Sequence, residues 1–216
     1  MSQITFTPTS LNDFSFSSSK TAKILNAIVN CTMPFPESGT TGILLYGSYG
    51  TGKTTLATLL PELIDQAYGG GGSFKSVFPC KQGKEGEAQV ALVQKLALNS
   101  PFSPSGLSFV VLDEVNNLSK SAQRSLQSAM NKNHVCFVLT TNFITEVNDA
   151  IKDRSHVLEM NAPPLATCLS YVRGVANDSS WTNATDNELI ALARRSNGSY
   201  RDMAKRVRAE SFAKTS

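Results

Sequence analysis

Gly47-Ser-Tyr-Gly-Thr-Gly-Lys53-Thr54 matches the pattern G-x-x-x-x-G-K-[ST] in full. Glycines at this spacing let a loop curl until its backbone N–H groups converge on one point, where they can bind phosphate oxygens. The segment follows an apolar run, Ile43–Tyr46, and precedes a helical pattern from Thr54 to Ile64. A helix starting beside Lys53 would add the positive end of its dipole. The chemistry implied is binding of ATP with Mg²⁺. Gly47, Ser48, Tyr49, Gly50, Thr51 and Gly52 would form the cradle, and Thr55 would carry it into the helix. Lys53 would reach the β- and γ-phosphates, and Thr54 would give its hydroxyl to the Mg²⁺.

Phe109-Val-Val-Leu-Asp113-Glu114 is a second apolar run, and it ends in two carboxylates. Such a pair at a strand end is by itself an ordinary solvated turn. Downstream of a complete phosphate loop it gains chemistry. Asp113 is expected to hold the Mg²⁺, directly or through water. Glu114 is expected to orient and polarise the attacking water, which is a poor nucleophile without a positioned base. A third run, Val135–Leu139, ends in Thr140-Thr141-Asn142. A polar group there would reach the γ-phosphate from the other side. Asn142 is the first candidate and Thr141 the second, against the plainer reading of turn chemistry.

These groups need a sheet whose strand ends meet. Apolar runs recur between helical patterns at Ile43–Tyr46, Phe74–Phe78, Phe109–Leu112, Val135–Leu139 and Val157–Met160. Continuous apolar runs suit strands covered on both faces, and their alternation with helices predicts an α/β parallel sheet of the P-loop type. Ser19 can cap a helix carrying Ile24, Leu25 and Ile28, and Ser119 one carrying Ala122, Leu126, Ala129 and Met130. Glu85 to Leu98 reads as a further helix. After Pro163-Pro164 no strand pattern follows. Leu165–Val175, Asp186–Arg195 and Tyr200–Phe212 read as three helices, with Asp186 as a cap and Gly198 as a stop. The expected division is an α/β domain over 1–162 and a small helical lid over 163–216.

The bulk numbers agree with a folded chain. It has 216 residues, 41% apolar and 17% charged. No apolar run approaches the roughly 20 residues of a membrane span, and no membrane partner is expected. The N-terminus, rich in Ser and Thr, has no secretory pattern. Cys31, Cys80, Cys136 and Cys168 form no Cys-x-x-Cys pair, so neither a zinc knuckle nor a disulfide framework is indicated. Net charge is +3, but from Arg194 to the end there are seven basic and two acidic residues. That tail reads either as a nucleic-acid contact or as a solvated helix face. Trp181 reads as lid packing before base stacking, and His134 and His156 as strand-edge or core histidines.

The order of these features resembles the AAA+ superfamily, and within it the clamp-loader subunits: replication factor C, its archaeal and phage counterparts, and the bacterial gamma/tau subunit. Leu112-Asp-Glu-Val-Asn-Asn-Leu-Ser-Lys-Ser-Ala-Gln-Arg-Ser-Leu-Gln-Ser-Ala-Met130 is similar to their Walker B strand and following helix. Leu139-Thr-Thr-Asn142 looks like their first sensor, and Gly198-Ser-Tyr-Arg201 resembles their second. Ala150-Ile-Lys-Asp-Arg154-Ser-His156 lies where the family has its Ser-Arg-Cys motif, although Asp153 and Ser155 replace the Ser and the Cys. Pro8-Thr-Ser-Leu-Asn-Asp-Phe14 is similar to the segment that helps enclose adenine. The resemblance implies that Arg154 is an arginine finger given to ATP on a neighbouring subunit. It implies that Arg201 contacts the γ-phosphate from the lid, and that Lys81, Lys84 and Arg124 lie toward DNA.

The activity so implied is ATP hydrolysis at the interfaces of a homo- or hetero-oligomer, a ring or open ring. It would drive assembly on DNA in replication, with a sliding clamp or a helicase as partner. The expected location is the cytoplasm or nucleoid, or a host cytoplasm for a phage-encoded chain. Clamp-loader subunits continue into a helical collar where this chain stops, at Ser216. Ring assembly is therefore expected to rest on ATPase-domain contacts or on partners. A helicase loader or a transposition-type DNA-targeting ATPase is the near alternative. A nucleotide-gated scaffold with little turnover, and a small-molecule P-loop kinase, are the more distant ones.

Overall fold

The structure is a computed structural model that describes residues 8–37, 39–99 and 103–215. The chain forms two compact units. One contains Ser19–Gly47 and Lys53–Glu159, and the other Met1–Ser18, Ser48–Gly52 and Met160–Ser216.

The larger unit is a five-stranded sheet. Its strands are β1 (Gly42–Tyr46), β2 (Lys75–Pro79), β3 (Ser108–Asp113), β4 (Val135–Thr141) and β5 (Ser155–Glu159). They run parallel in the order β2-β3-β4-β1-β5. The four apolar runs with the strongest pattern are the four strands β1, β3, β4 and β5. β4 is buried along its whole length because it lies between two neighbours and under helices. β2 alternates between exposed and half-buried positions, as an edge strand with one neighbour does. That alternation is why its run is the weakest in the sequence.

Helices α1 (Ser19–Val29), α2 (Lys53–Ala67), α3 (Gly83–Leu96), α4 (Lys120–Ala129) and α5 (Asp149–Asp153) flank the sheet. α2 packs on β3 and β4, and α3 packs on α4. Val90 and Val93 of α3 and Leu126 of α4 join Leu44, Leu112, Phe137 and Leu139 in one apolar cluster. Ser119 caps α4 by accepting the N–H of Ala122 at 3.2 Å. The sequence gives no signal for α5, which is five residues long and capped by Asn148. Among the described residues, no helix is long and apolar enough to cross a membrane.

Asp65 is fully buried in this unit, and no cation among the described residues pairs with it. Asp65 of α2 accepts the Gly72 N–H at 3.2 Å and the Ser103 hydroxyl at 2.9 Å, and the Ser105 hydroxyl joins them. The four-glycine stretch Gly69–Gly72, which looks flexible in the sequence, is folded over this carboxylate. Gly70 has no room for a side chain, since a Cβ there would stand 2.1 Å from Asp65 Oδ2.

The smaller unit holds α6 (Leu165–Asp178), α7 (Asp186–Arg194) and α8 (Tyr200–Thr215). They pack around Cys168, Val172, Trp181, Leu189, Met203 and Val207. Trp181 is buried, with the Lys214 ammonium 4.9 Å from its ring centroid. The cap of α7 is Thr185, one residue before Asp186. Its hydroxyl and the Glu188 carboxylate form a reciprocal capping box. Gly198 precedes α8 with φ +78°, and a Cβ there would stand 2.1 Å from that of Ala162.

A single cut near residue 162 is the sequence expectation. In the structure, α6, α7 and α8 share their unit with two distant segments. Tyr200 N donates to Gly50 O at 2.9 Å, Ser48 N donates to Asn161 Oδ1 at 3.2 Å, and the Ser15 hydroxyl donates to Thr167 O at 3.4 Å. Bonds between residues more than 100 positions apart leave no periodic trace in a sequence.

Replacing Asp65 with alanine would leave two hydroxyls and one backbone N–H without their acceptor. Asp65→Ala is expected to destabilise the protein by about 3 kcal/mol, from buried polar groups left unpaired. Urea unfolding followed by circular dichroism measures this. A midpoint equal to that of the parent chain would show that the carboxylate is not the anchor of the glycine stretch.

Candidate active site

β1 runs directly into the phosphate loop, and α2 begins at Lys53. Gly47, Gly50 and Gly52 take φ of +144°, +75° and +89°, values that a side chain disfavours. The Lys53 side chain is buried, and its ammonium donates to Gly47 O at 2.9 Å, closing the base of the loop. The Thr51 hydroxyl donates to Ser48 O at 3.0 Å within the crown. Tyr49 is 59% exposed, and Thr54 and Thr55 are exposed on the first turn of α2. The N–H groups of that turn have no acceptor within the helix, and its dipole favours an anion.

Parallel register brings the strand ends together. Leu112 lies beside Leu139, so Asp113 and Thr140 follow as neighbours. Asp113 Oδ1 accepts the Thr54 hydroxyl at 2.8 Å and the Thr140 hydroxyl at 2.5 Å. The Thr54 and Asp113 oxygens are hard donors already in contact, a set that fits Mg²⁺. Thr140 also accepts the Glu114 N–H at 2.9 Å. Glu114 sits in the left-handed region, φ 57° and ψ 55°, and its side chain is exposed. Oε1 accepts from Asn142 Nδ2 at 3.4 Å and Oε2 from Asn117 Nδ2 at 3.2 Å.

The sequence places Asp113, Glu114, Asn142 and Thr54 in one site, and the structure brings these four together. It separates the two candidates at the end of β4. Asn142 faces Glu114, whereas Thr141 is buried and committed, donating to Asn116 Oδ1 at 2.8 Å and accepting from Phe143 N at 2.9 Å. Thr140 and Asn117 are contacts that the sequence reading missed. The only signal for Thr140 is its place in a Thr-Thr-Asn strand end. Asn117 carries none without the turn that follows Glu114. The negative charge concentrated here is felt by Cys80, at the end of β2. Burial first, and then the Asp113 and Glu114 carboxylates, push its thiol up to about 12.

Arg154 caps the C-terminus of α5 and is half-buried. Its Nε donates to Asn131 Oδ1 at 2.9 Å and its Nη1 to Ala150 O at 3.1 Å, while Asp153 lies 3.8 Å away. Arg201 is exposed on the first turn of α8, next to Tyr200, whose N–H holds Gly50 O. Of the basic groups assigned toward DNA, Lys81 is paired with Glu85 at 2.7 Å, and Lys84 and Arg124 are exposed. In the C-terminal tail Arg206 pairs with Asp202, and Lys214 with Glu188. Those two pairings favour the solvated-face reading at their positions. His134 Nε2 lies 3.2 Å from Ala97 O, and His156 lies beside Phe35, where burial lowers its pKa. Both are structural positions.

Residues 43–161 match the family model described as "ATPase family associated with various cellular activities (AAA)". The chain is 25% identical over 175 residues to replication factor C small subunit 2 of Pyrobaculum arsenaticum, covering 80% of this chain and 52% of that protein. It is 26% identical over 136 residues to replication factor C small subunit 1 of the same organism, covering 62% of this chain and 41% of that protein. The chain thus spans about half the length, or less, of the curated relatives it matches. Among solved structures, the RuvB Holliday junction branch migration motor of Thermotoga maritima superposes with a TM-score of 0.70 at 19% identity, covering 97% of this chain and 67% of that one. PCH-2 of C. elegans gives 0.61 at 15%, covering 95% and 72%. These two likenesses show the fold.

Thr140→Val keeps the shape but removes the hydroxyl that joins Asp113 to the Glu114 N–H. The expected result is a stability loss of about 1–2 kcal/mol from the orphaned N–H, together with slower ATP hydrolysis. Thr140→Ser is expected to restore both. Urea unfolding and a single-turnover hydrolysis assay read the two effects. Unchanged values for the valine variant would make this contact incidental.

Proposed function

We propose that this chain, which belongs to the AAA family of ATPases, binds ATP with Mg²⁺ and hydrolyses it to drive assembly on DNA. The observation that carries the reading is the convergence on Asp113. The phosphate-loop threonine, the metal-binding carboxylate and the brace of the next acid all meet at one oxygen. Lys53 and the N–H groups of the loop and first helical turn neutralise phosphate charge, which favours ATP binding and the developing charge of the transition state. Thr54 and Asp113 would hold the Mg²⁺, which would neutralise further phosphate charge. Glu114 orients the attacking water and takes up its proton, and Asn142 reaches toward the γ-phosphate from the β4 side. Residues 163–216 serve as the lid, with Arg201 as its phosphate contact.

The replication reading rests on two supports. The curated relatives are named as replication factor C small subunits, and the segment after Glu114 resembles the clamp-loader pattern. On this reading Arg154 is donated to ATP on a neighbouring copy or partner, and the assembly is a ring or open ring that engages DNA. Arg154 then leaves Asn131 and Ala150 on assembly. Those hydrogen bonds involve a half-buried group, so exchanging them for a phosphate contact carries a modest cost.

Two variants separate binding from chemistry. Lys53→Ala is expected to lose most ATP affinity in a fluorescent-nucleotide titration. Glu114→Gln is expected to keep that affinity while hydrolysis falls roughly 10²-fold or more, the range for loss of a catalytic base. Parent-like affinity in Lys53→Ala would refute the phosphate-loop assignment. A parallel loss of binding and turnover in Glu114→Gln would make Glu114 a structural group or metal ligand.

Assembly is tested by mixing two inactive variants. Arg154→Ala should bind ATP and hydrolyse it poorly, and Lys53→Ala should supply an intact arginine beside an empty pocket. In the mixture, ATPase activity should partly return and should rise with total protein concentration. Primed DNA should stimulate it, and the DNA-binding constant should fall with salt at a log–log slope of about −0.9 for each duplex phosphate neutralised. A mixture as inactive as its components would return Arg154 to its own subunit. A lack of stimulation by any DNA would remove the replication reading while leaving the ATPase intact.

A further inference from the structure

Asn117 ends the short turn after Glu114, and its side chain has no part in the reading above. The left-handed backbone of Glu114 sends the chain into the turn Val115–Asn117, closed by Asn117 N donating to Glu114 O at 2.9 Å. This brings the Asn117 side chain back to the side of Glu114. Its Nδ2 lies 3.2 Å from Glu114 Oε2 and 3.3 Å from Cys80 O, one acceptor for each amide hydrogen.

A relay beginning at β4 sets which end of the amide faces the carboxylate. Phe143 N donates to Thr141 Oγ1 at 2.9 Å, and that hydroxyl donates to Asn116 Oδ1 at 2.8 Å. Asn116 Nδ2 then donates to Asn117 Oδ1 at 3.5 Å. With its oxygen taken by a donor, Asn117 turns its NH₂ toward Glu114 and Cys80. The network therefore agrees with the orientation that the carboxylate itself demands.

We propose that Asn117 is a positioning residue for Glu114, a role that rests on the reading of Glu114 as the base. Glu114 is exposed on a flexible side chain, and a base that samples several rotamers faces the water for only part of the time. Asn142 holds Oε1 from the end of β4. Asn117 holds Oε2 and is itself tied to the end of β2 through Cys80 O. The two donors grip the two oxygens from the strands on either side of β3, which fixes the plane of the carboxylate. The Asn117 side chain bonds to Asn116, Cys80 O and Glu114, and not to Thr54, Asp113 or the phosphate loop, so its effect must pass through Glu114.

The test is a double-mutant cycle in single-turnover hydrolysis of radiolabelled ATP. Asn117→Ala is expected to lower the rate about 10-fold, a fraction of the roughly 10²-fold loss from removing the base. The ATP concentration giving half-maximal rate should stay within about twofold, because nothing that binds phosphate has changed. In the Glu114→Gln background the same substitution is expected to cost nothing further. Asn117→Asp keeps the side-chain volume, replaces the donor with a like charge, and should lower the rate at least as much. It carries the test if the alanine variant does not fold, as judged by thermal melting. Full activity in a folded Asn117 variant, or the same fold-loss with and without Glu114, would overturn the proposal while leaving Glu114 in its role. Parent-like turnover in Glu114→Gln alone would instead remove the base reading, and the proposal with it.

Discussion

Two hydroxyls from Thr54 and Thr140 converge on one oxygen of Asp113, at 2.8 and 2.5 Å. The first stands on the helix that follows β1, and the second on the strand beside Asp113. For the two to meet, β3 and β4 must pair in one register and β1 must lie on the far side of β4. Shifting either strand by one residue would turn its side chains to the opposite face and separate these groups. The sheet is wholly parallel, so its carboxyl ends all fall on one edge, and the polar residues that end the apolar runs gather there.

The core makes that register hard to lose. β4 is buried on both faces, and the apolar cluster beneath it draws on α3, α4 and three strands. At about 25 cal/mol per Å² of apolar surface removed from water, slipping such a strand would cost several kcal/mol. The polar edge is therefore held by an apolar interior that takes no part in the chemistry. Polar braces then refine it. Thr140 holds the Glu114 N–H, Asn142 and Asn117 hold its two carboxylate oxygens, and the left-handed backbone at Glu114 turns the chain so that all three can act. A left-handed conformation costs a non-glycine residue on the order of 1 kcal/mol or more, and such strain persists where neighbouring contacts over-determine it.

In the smaller unit, the crown of the phosphate loop and the first turn of α8 are joined by a backbone hydrogen bond from Tyr200 to Gly50. The close approach of Gly198 to Ala162 sets where that turn begins. Trp181 packs among the three helices, and Glu188 of α7 pairs with Lys214 of α8. Arg201 thus stands on a helix end whose position is fixed by glycine sterics and by a main-chain bond. Whatever Arg201 contacts, its distance from Gly50 depends on this short span of backbone and little on side-chain packing.

The sequence by itself determined the α/β class, all five strands with β2 the weakest run, and most of the helices, and it picked out Lys53, Thr54, Asp113, Glu114 and Asn142 as site candidates. These are legible because each depends on contiguous spacing: a glycine-rich loop, an apolar run ending in acids, a helical period. Tertiary structure alone decided the rest. Thr140 matters because pairing of β3 with β4 sets it beside a residue 27 positions away. Asn117 matters because one left-handed residue turns it back onto Glu114. Asp65 anchors a glycine stretch that looks flexible in the sequence, and serines about 40 positions away bond to the same carboxylate. The C-terminal helices share their unit with the crown of the phosphate loop through bonds spanning more than 100 residues. Local pattern records which face of an element is apolar, while the partner that a polar group finds across the fold is set by register and chain crossing.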